Sequence, residues 1–199
     1  MKITRLFLII FLAIANMIPG SAQSIRDSVV VTMETEEGNL RIVLYTKDAP
    51  VTCANFLKYV EQLGDQGGEF YRTVTMANQP DKKVKIEVIQ GGFNLKSMDT
   101  STIKTIPLER TSVTGLSHMD GTLSMARSDP DSGSTEFFIC IGDQPSLDFG
   151  GQRNPDGQGF AAFGQVVSGM DVAYRIQTKT ADGQTLTPTV RIIRIILEK

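Results

Sequence analysis

From Val29 onward, short apolar runs alternate with polar turns, and most of the runs carry the two-residue period of strands. VVVTMET (Val29 to Thr35) and NLRIVLY (Asn39 to Tyr45) flank Glu36, Glu37 and Gly38, which predicts a hairpin with a solvated acidic tip that includes Glu34. In DAPVTCANFLKYVEQLG, Pro50 suits a first helical turn, and Phe56, Leu57, Val60 and Leu63 recur at helical spacing before Gly64. An amphipathic helix with a core-facing stripe is expected there. The remaining runs are FYRTV, VKIEVIQ with Val84, Ile86 and Val88 alternating, GTLSMA, EFFICI, GFAAFGQVV and TVRIIRIIL, nearly all separated by Gly or Pro. A second short helix fits GMDVAYRIQ, with Ser168 as its cap. Many short strands and only two helices predict a mainly β fold, a closed antiparallel barrel whose ends the helices plug. Two polar segments interrupt the rhythm, Met76 to Lys83 (MANQPDKK) and the stretch from Asn94 to Asp120, and long ordered loops are where binding surfaces tend to sit.

Ahead of Val29 the pattern changes. Lys2 and Arg5 precede an apolar run from Leu6 to Ala15, followed by Pro19, Gly20, Ser21 and Ala22. This is the three-part plan of a secretory signal peptide cleaved after Ala22, and the apolar run falls short of the roughly 20 residues a spanning helix needs. The expected organisation is a signal peptide over residues 1–22, a linker over 23–28 and one domain over 29–199. The mature protein is expected to be exported, to the periplasm or the extracellular space, with no membrane association after cleavage.

Cleavage removes Lys2 and Arg5 from a chain with 20 basic and 22 acidic side chains, leaving it net acidic, with nothing to suggest a nucleic-acid surface. No heptad run argues against a monomer. The two cysteines, Cys53 and Cys140, cannot form a disulfide framework, and two buried free thiols are the simpler reading. His118 is the only histidine and neither cysteine has a partner at metal-ligand spacing, so no metal site and no cofactor are expected. Ser117 beside His118 is an accident of sequence more often than a dyad, and no G-x-S-x-G elbow is present. Asp129 and Asp131 lack the spacing of a calcium loop, and the glycines of IQGGF and FGGQRNPDGQGF lack the strand-to-helix setting of a phosphate cradle.

What these exclusions leave is a set of polar residues, Arg72, Gln90, Arg127 and Glu136, beside runs that also carry Phe138, Leu147, Phe160 and Phe163. Taken in order, FYR, VIQGGF, GTLSMAR, STEFFIC, LDF and GFAAFGQVVSGMDV resemble the cyclophilins, which are peptidyl-prolyl cis-trans isomerases, from about Val29 to Lys199. Six motifs in the right order are far more specific than any one of them. The resemblance implies an eight-stranded antiparallel barrel capped by two helices, with proline bound in a groove on the outside. It places the catalytic role on Arg72, ordered by Gln90. It implies that the backbone of Ala126 and Arg127 pairs with the peptide and that Phe138 floors the proline pocket, with Leu147 and Phe160 on the rim. Tyr71, Glu136 and Ser146 complete the expected substrate contacts.

The implied partners are proline-containing polypeptides, unfolded or exported. The chain departs from the family in four ways: Ser146 replaces the frequent tryptophan before the LD pair, Phe160 replaces the frequent rim histidine, Glu136 stands where a glutamine is usual, and the loop after Asp148 is long. Two pocket positions, usually Phe and Met, fall on Glu87 and Val88 if no gap is placed, and MANQPDKK reads as an insertion between Arg72 and Gln90. Weak cyclosporin binding is implied. The alternative to an enzyme is a proline-binding module or holdase chaperone with little turnover.

Overall fold

The computed structural model describes residues 28–198, so the expected signal peptide and nearly all of the linker lie outside the described residues. Nine strands and three α-helical segments follow in chain order: β1 (Val29–Thr35), β2 (Gly38–Leu44), α1 (Pro50–Leu63), β3 (Gly68–Val74), β4 (Val88–Phe93), α2 (Thr111–Thr114), β5 (Thr122–Met125), β6 (Glu136–Cys140), β7 (Ala161–Ser168), α3 (Met170–Gln177), β8 (Ala181–Asp182) and β9 (Thr185–Leu197). Strands pair antiparallel in the order β1-β2-β7-β5-β6-β4-β3-β9, and β1 pairs with β9 to close an eight-stranded barrel. β8 is a two-residue extension hydrogen-bonded to β9. Closure leaves the eight strands with no long unpaired edge, which removes the usual hazard of an antiparallel sheet.

Alternation along the strands sorts side chains into two clusters. Phe70, Ile89, Leu123, Phe137, Ile139 and Phe163 point inward to a core that also takes Cys53, Phe56, Tyr59, Val60 and Leu63 of α1. Phe56 packs against Phe93, Phe137 and Phe163 at ring-centroid distances of 5.3, 5.6 and 5.3 Å, so α1 plugs the barrel with an aromatic contact at its centre. Leu57, expected in the stripe, is only partly buried, while Cys53 and Tyr59 take fuller places. The second cluster, Val74, Ile86, Val88, Phe138, Cys140 and Leu147, lies on the outer face, with Ala126 and Phe160 against it.

The long stretch from Asn94 to Asp120 is tied to α1. The Glu109 carboxylate accepts from the backbone N–H of Val51 (3.0 Å) and of Thr52 (2.7 Å), satisfying free donors of a helix start that no local side chain caps. The acidic hairpin tip is paired rather than merely solvated: Glu34 bonds Arg194 at 2.8 Å and Glu37 bonds Lys179 at 2.6 Å.

Two local expectations are corrected. α3 is preceded by Gly169 rather than capped by Ser168, which ends β7, because φ there is +94° and a Cβ would sit 2.2 Å from the Asn39 carbonyl oxygen. The alternation of Val84, Ile86 and Val88 does not make a strand until Val88. Both backbone groups of Ile86 are bonded instead by the buried amide of Gln79, whose Nε2 donates to Ile86 O at 2.7 Å and whose Oε1 accepts from Ile86 N at 3.4 Å. A side chain thus satisfies the backbone that a neighbouring strand would otherwise bond.

Candidate active site

Arg72 and Gln90 stand directly opposite each other in the antiparallel ladder of β3 and β4. The inserted segment lies in the connection beyond the pair Val74 and Val88, so its length has no bearing on how arginine and glutamine meet. Strand parity alone would point Phe70 and Arg72 to the same face. The register shifts between Phe70 and Arg72, with Tyr71 as the extra residue. That bulge leaves Phe70 in the core and turns Arg72, and Val74 after it, to the outer face.

The guanidinium is fixed on two sides. Nη1 donates to Gln90 Oε1 at 2.7 Å, while Nε and Nη2 both donate to Gln184 Oε1 at 3.0 and 2.7 Å. Gln184, in the turn between β8 and β9, is held in turn by its own Nε2 donating to Asn78 O at 3.2 Å. Asn78 donates to the carbonyls of Thr73 and Gly183 at 3.0 and 3.1 Å. An arginine has five N–H groups, and three are used here, which leaves two for a ligand. Burial lowers the Arg72 pKa, and the nearby Tyr71 and Glu136 oppose that shift.

Behind Gln90 lies a polar relay. Gln90 Nε2 donates to Tyr71 Oη at 2.6 Å, and Tyr71 in turn donates a short hydrogen bond to the Glu136 carboxylate. Burial, then the bond to Glu136, pushes the Tyr71 phenol well above its usual range. Tyr71 thus holds the orienting glutamine and is not among the residues lining the pocket itself.

That pocket has a volume of about 440 Å³ and opens on the outer face. Arg72, Gln90 and Glu136 supply polar walls, and Ala126 and Arg127 border it at the end of β5. Phe138 is its apolar floor, meeting Phe160 edge-on with centroids 5.3 Å apart. Leu147 lines it too, but fully buried in the wall rather than on an open rim. Beneath Phe138 the His118 ring lies nearly parallel, centroids 6.1 Å apart, with Nδ1 2.7 Å from Asp148 Oδ1 and Nε2 2.9 Å from Ser124 Oγ. His118 is therefore a buried support.

Two expected contacts lie outside the pocket lining, Tyr71 behind Gln90 and Ser146 beside it, while Arg127 lines the pocket as expected. Ser146 does not line the pocket; its carbonyl oxygen accepts from Arg153 N at 3.1 Å. The Arg127 side chain is occupied, with Nη1 and Nη2 on Asp156 at 2.8 and 3.0 Å, Nε on the Gly159 carbonyl at 2.8 Å, and the guanidinium 5.0 Å over the Phe160 ring. Glu87 turns away to Gln177, at 3.2 Å, and the aliphatic wall is made by Ile86 and Val88. Sequence reading missed Gln184, Gln79 and Arg153, all in turns or loops with no periodicity to mark them. Among the described residues, no group of His, Cys, Asp and Glu could hold a metal ion.

The family model for "Cyclophilin type peptidyl-prolyl cis-trans isomerase/CLD" matches residues 30–196. The chain belongs to the cyclophilin-type peptidyl-prolyl cis-trans isomerases. A relative from Acinetobacter baylyi, "Peptidyl-prolyl cis-trans isomerase", is 34% identical over 148 residues, covering 74% of this cyclophilin and 71% of the relative. "Peptidyl-prolyl cis-trans isomerase B" of Escherichia coli is 32% identical over 149 residues, covering 74% and 84%. The fold is similar to that of a Cryptosporidium parvum cyclophilin, at a TM-score of 0.68 and 19% identity over 86% of this chain and 98% of that one. The Cryptosporidium protein has also been solved in the presence of the dipeptide Ala-Pro, a structure that this cyclophilin matches with a TM-score of 0.66, over 85% of this chain and 99% of that one. The eight-stranded antiparallel barrel with two main helices agrees with these neighbours.

Proposed function

We propose that this cyclophilin binds prolyl peptides in the outer pocket and lowers their isomerisation barrier through a hydrogen bond from Arg72 to the prolyl amide nitrogen. The observation that carries this reading is a clamped guanidinium in the wall of a pocket with an apolar floor: Gln90 and Gln184 take three of the five Arg72 N–H groups, and Phe138 lines the same pocket. The peptide bond before proline has partial double-bond character and rotates in tens to hundreds of seconds unaided. In the twisted transition state the nitrogen loses conjugation and gains a lone pair. A donor aimed at that lone pair stabilises the transition state and not the planar ground state.

One charge-assisted hydrogen bond is worth about 1.5 to 3 kcal/mol net, or roughly ten- to a hundredfold in rate at 1.36 kcal/mol per factor of ten. The apolar walls of Ile86, Val88, Phe138 and Phe160 add orientation and exclude water. No proton transfer or covalent bond is required of the protein.

The test is cis-to-trans conversion of an X-Pro peptide by the wild type and by Arg72→Ala. The variant is expected to lose ten- to a hundredfold in kcat/KM, and equal rates would overturn the arginine mechanism. A wild type that binds the peptide without accelerating it would instead support the proline-binding module or holdase, the reading that the absent tryptophan at Ser146 favours.

The client proteins we propose are exported polypeptides, a reading supported by the basic, apolar and small-residue order of the first 22 residues. An intact mass of the secreted protein beginning at Gln23 is expected. One beginning at Met1 would refute cleavage.

A further inference from the structure

Three arginines line the pocket: Arg72, Arg127 and Arg153. They differ in what balances their charge. Arg127 is paired with Asp156, and the carboxylate nearest Arg72 is Glu136, which also accepts from Tyr71 and Gln90. Arg153, from the loop that follows Asp148, has only neutral acceptors: its Nη1 donates to Gln79 Oε1 at 2.7 Å and to Val84 O at 2.8 Å. No carboxylate forms an ion pair with it among the described residues.

Counting the pocket's charged side chains with the carboxylate bound to Arg127, three cations face two anions, and the surplus sits on Arg153. That surplus is close to Arg72: burial lowers the Arg153 pKa first, and repulsion from Arg72 adds to the shift. Arg153 is also held in place, because the amide that fixes it, Gln79, is itself buried and bonded to Thr75 O and Ile86 O. A fixed, half-desolvated cation beside another cation is matched by an anion arriving with the ligand. The protein dielectric strengthens such a contact relative to one between fully solvated groups.

We infer that Arg153 is a specificity-determining residue, selecting prolyl peptides that carry an acidic side chain next to the proline. The inference rests on the prolyl-peptide reading of the pocket. The carboxylate would take the unused N–H groups of Arg153, and a lysine at the same peptide position would meet repulsion from both Arg153 and Arg72.

The experiment compares matched X-Pro peptides carrying Glu, Gln or Lys immediately before or immediately after proline. For each, kcat/KM and binding affinity are measured at low and at about 0.5 M salt with the wild type, Arg153→Gln and Arg153→Lys. The wild type is expected to prefer Glu over Gln by about three- to tenfold at one of the two positions, with the preference shrinking at high salt as the Debye length contracts. Arg153→Gln should remove the preference, and Arg153→Lys, which keeps the charge but loses the fork, should retain part of it.

Because the readout is a ratio between peptides, any general effect of releasing the loop cancels. A Glu-to-Gln ratio near one in the wild type, or one that survives in Arg153→Gln, overturns the inference. If the wild type binds the peptides without turning any over, the isomerase reading fails by itself, and the same ratio measured in binding still decides the role of Arg153.

Discussion

Gln184 accepts two of the three hydrogen bonds that fix the Arg72 guanidinium, from Nε at 3.0 Å and from Nη2 at 2.7 Å. Gln90 supplies only the third. An arginine has long rotamer freedom, and a donor that must meet a transient lone pair gains from having that freedom removed beforehand. Under the proposed arginine mechanism, Gln184 acts through Arg72 as a positioning residue. Gln184→Ala is expected to lower kcat/KM about five- to twentyfold, or about 1 to 1.8 kcal/mol at 1.36 kcal/mol per factor of ten. The loss should fall mainly on kcat. Gln184→Glu keeps the acceptor for Arg72 but loses the Nε2 donor that Asn78 O accepts, so it should recover part of the loss, and a variant with unchanged kcat and raised KM would show that Gln184 serves binding alone.

How far the sequence reveals this site can be followed residue by residue. Arg72 and Gln90 are legible because the FYR and VIQGGF motifs mark them, but how they meet across the inserted segment is answered only by the ladder of β3 and β4, where they stand opposite each other. The barrel is legible because its strands carry clear alternation. The outward turn of Arg72 is not, since it depends on one bulged residue, Tyr71, in an otherwise regular run. Gln184 lies 112 residues beyond Arg72 in a polar turn, and Gln79 and Arg153 occupy loops whose composition is that of any solvated segment. Their importance comes from side-chain amides and guanidinium groups bonding across sequence distance, which no local period records. The same cause misplaces the strand expected at Val84 to Val88, where Gln79 takes the bonds a neighbouring strand would have taken.

Gln79 itself carries a prediction about stability. Its side chain is 2% exposed; it donates to Thr75 O and Ile86 O at 2.7 Å each and accepts from Arg153 Nη1 at 2.7 Å. Gln79→Ala strands these partners, and an unsatisfied buried polar group costs about 1–3 kcal/mol. Urea unfolding should show a loss of about 2–3 kcal/mol with little change in m. A loss below about 0.5 kcal/mol would mean that the segment between β3 and β4 is held by other contacts.

The two thiols should be inert in the native state. Burial pushes the Cys53 thiol up to about 12, with its Sγ donating to Phe163 O at 3.4 Å, and burial raises Cys140 further, with Asp148, Asp120 and Asp143 adding to the effect. The thiolate is the reactive form, so at pH 8 only a very small fraction of either group is nucleophilic. Cys53 belongs to the inner core and Cys140 to the outer cluster, which keeps them on different sides of the barrel wall, and both are free. Labelling with an aromatic disulfide reagent at pH 8 should be negligible over an hour in the folded protein and should reach two thiols in denaturant. Rapid labelling of either cysteine without denaturant would contradict the burial described.

His118 and Ser124 separate the packing beneath the pocket from its hydrogen bonding. The His118 ring backs Phe138 at 6.1 Å and links Asp148 to Ser124, while Ser124 Oγ also donates to the Ala161 carbonyl at 3.0 Å. His118→Ala removes the ring and leaves space under the pocket floor, so Phe138 gains room to tilt. The expected result is a stability loss of about 2–4 kcal/mol, in the range of large-to-small core substitutions, together with a three- to tenfold rise in KM for a prolyl peptide. Ser124→Ala leaves the stacked rings in place and loses hydrogen bonds only. It should cost about 1–2 kcal/mol in stability and move KM less than twofold. If both variants raise KM equally, the floor is held by the hydrogen-bonded chain through Ser124 and not by the stacked imidazole.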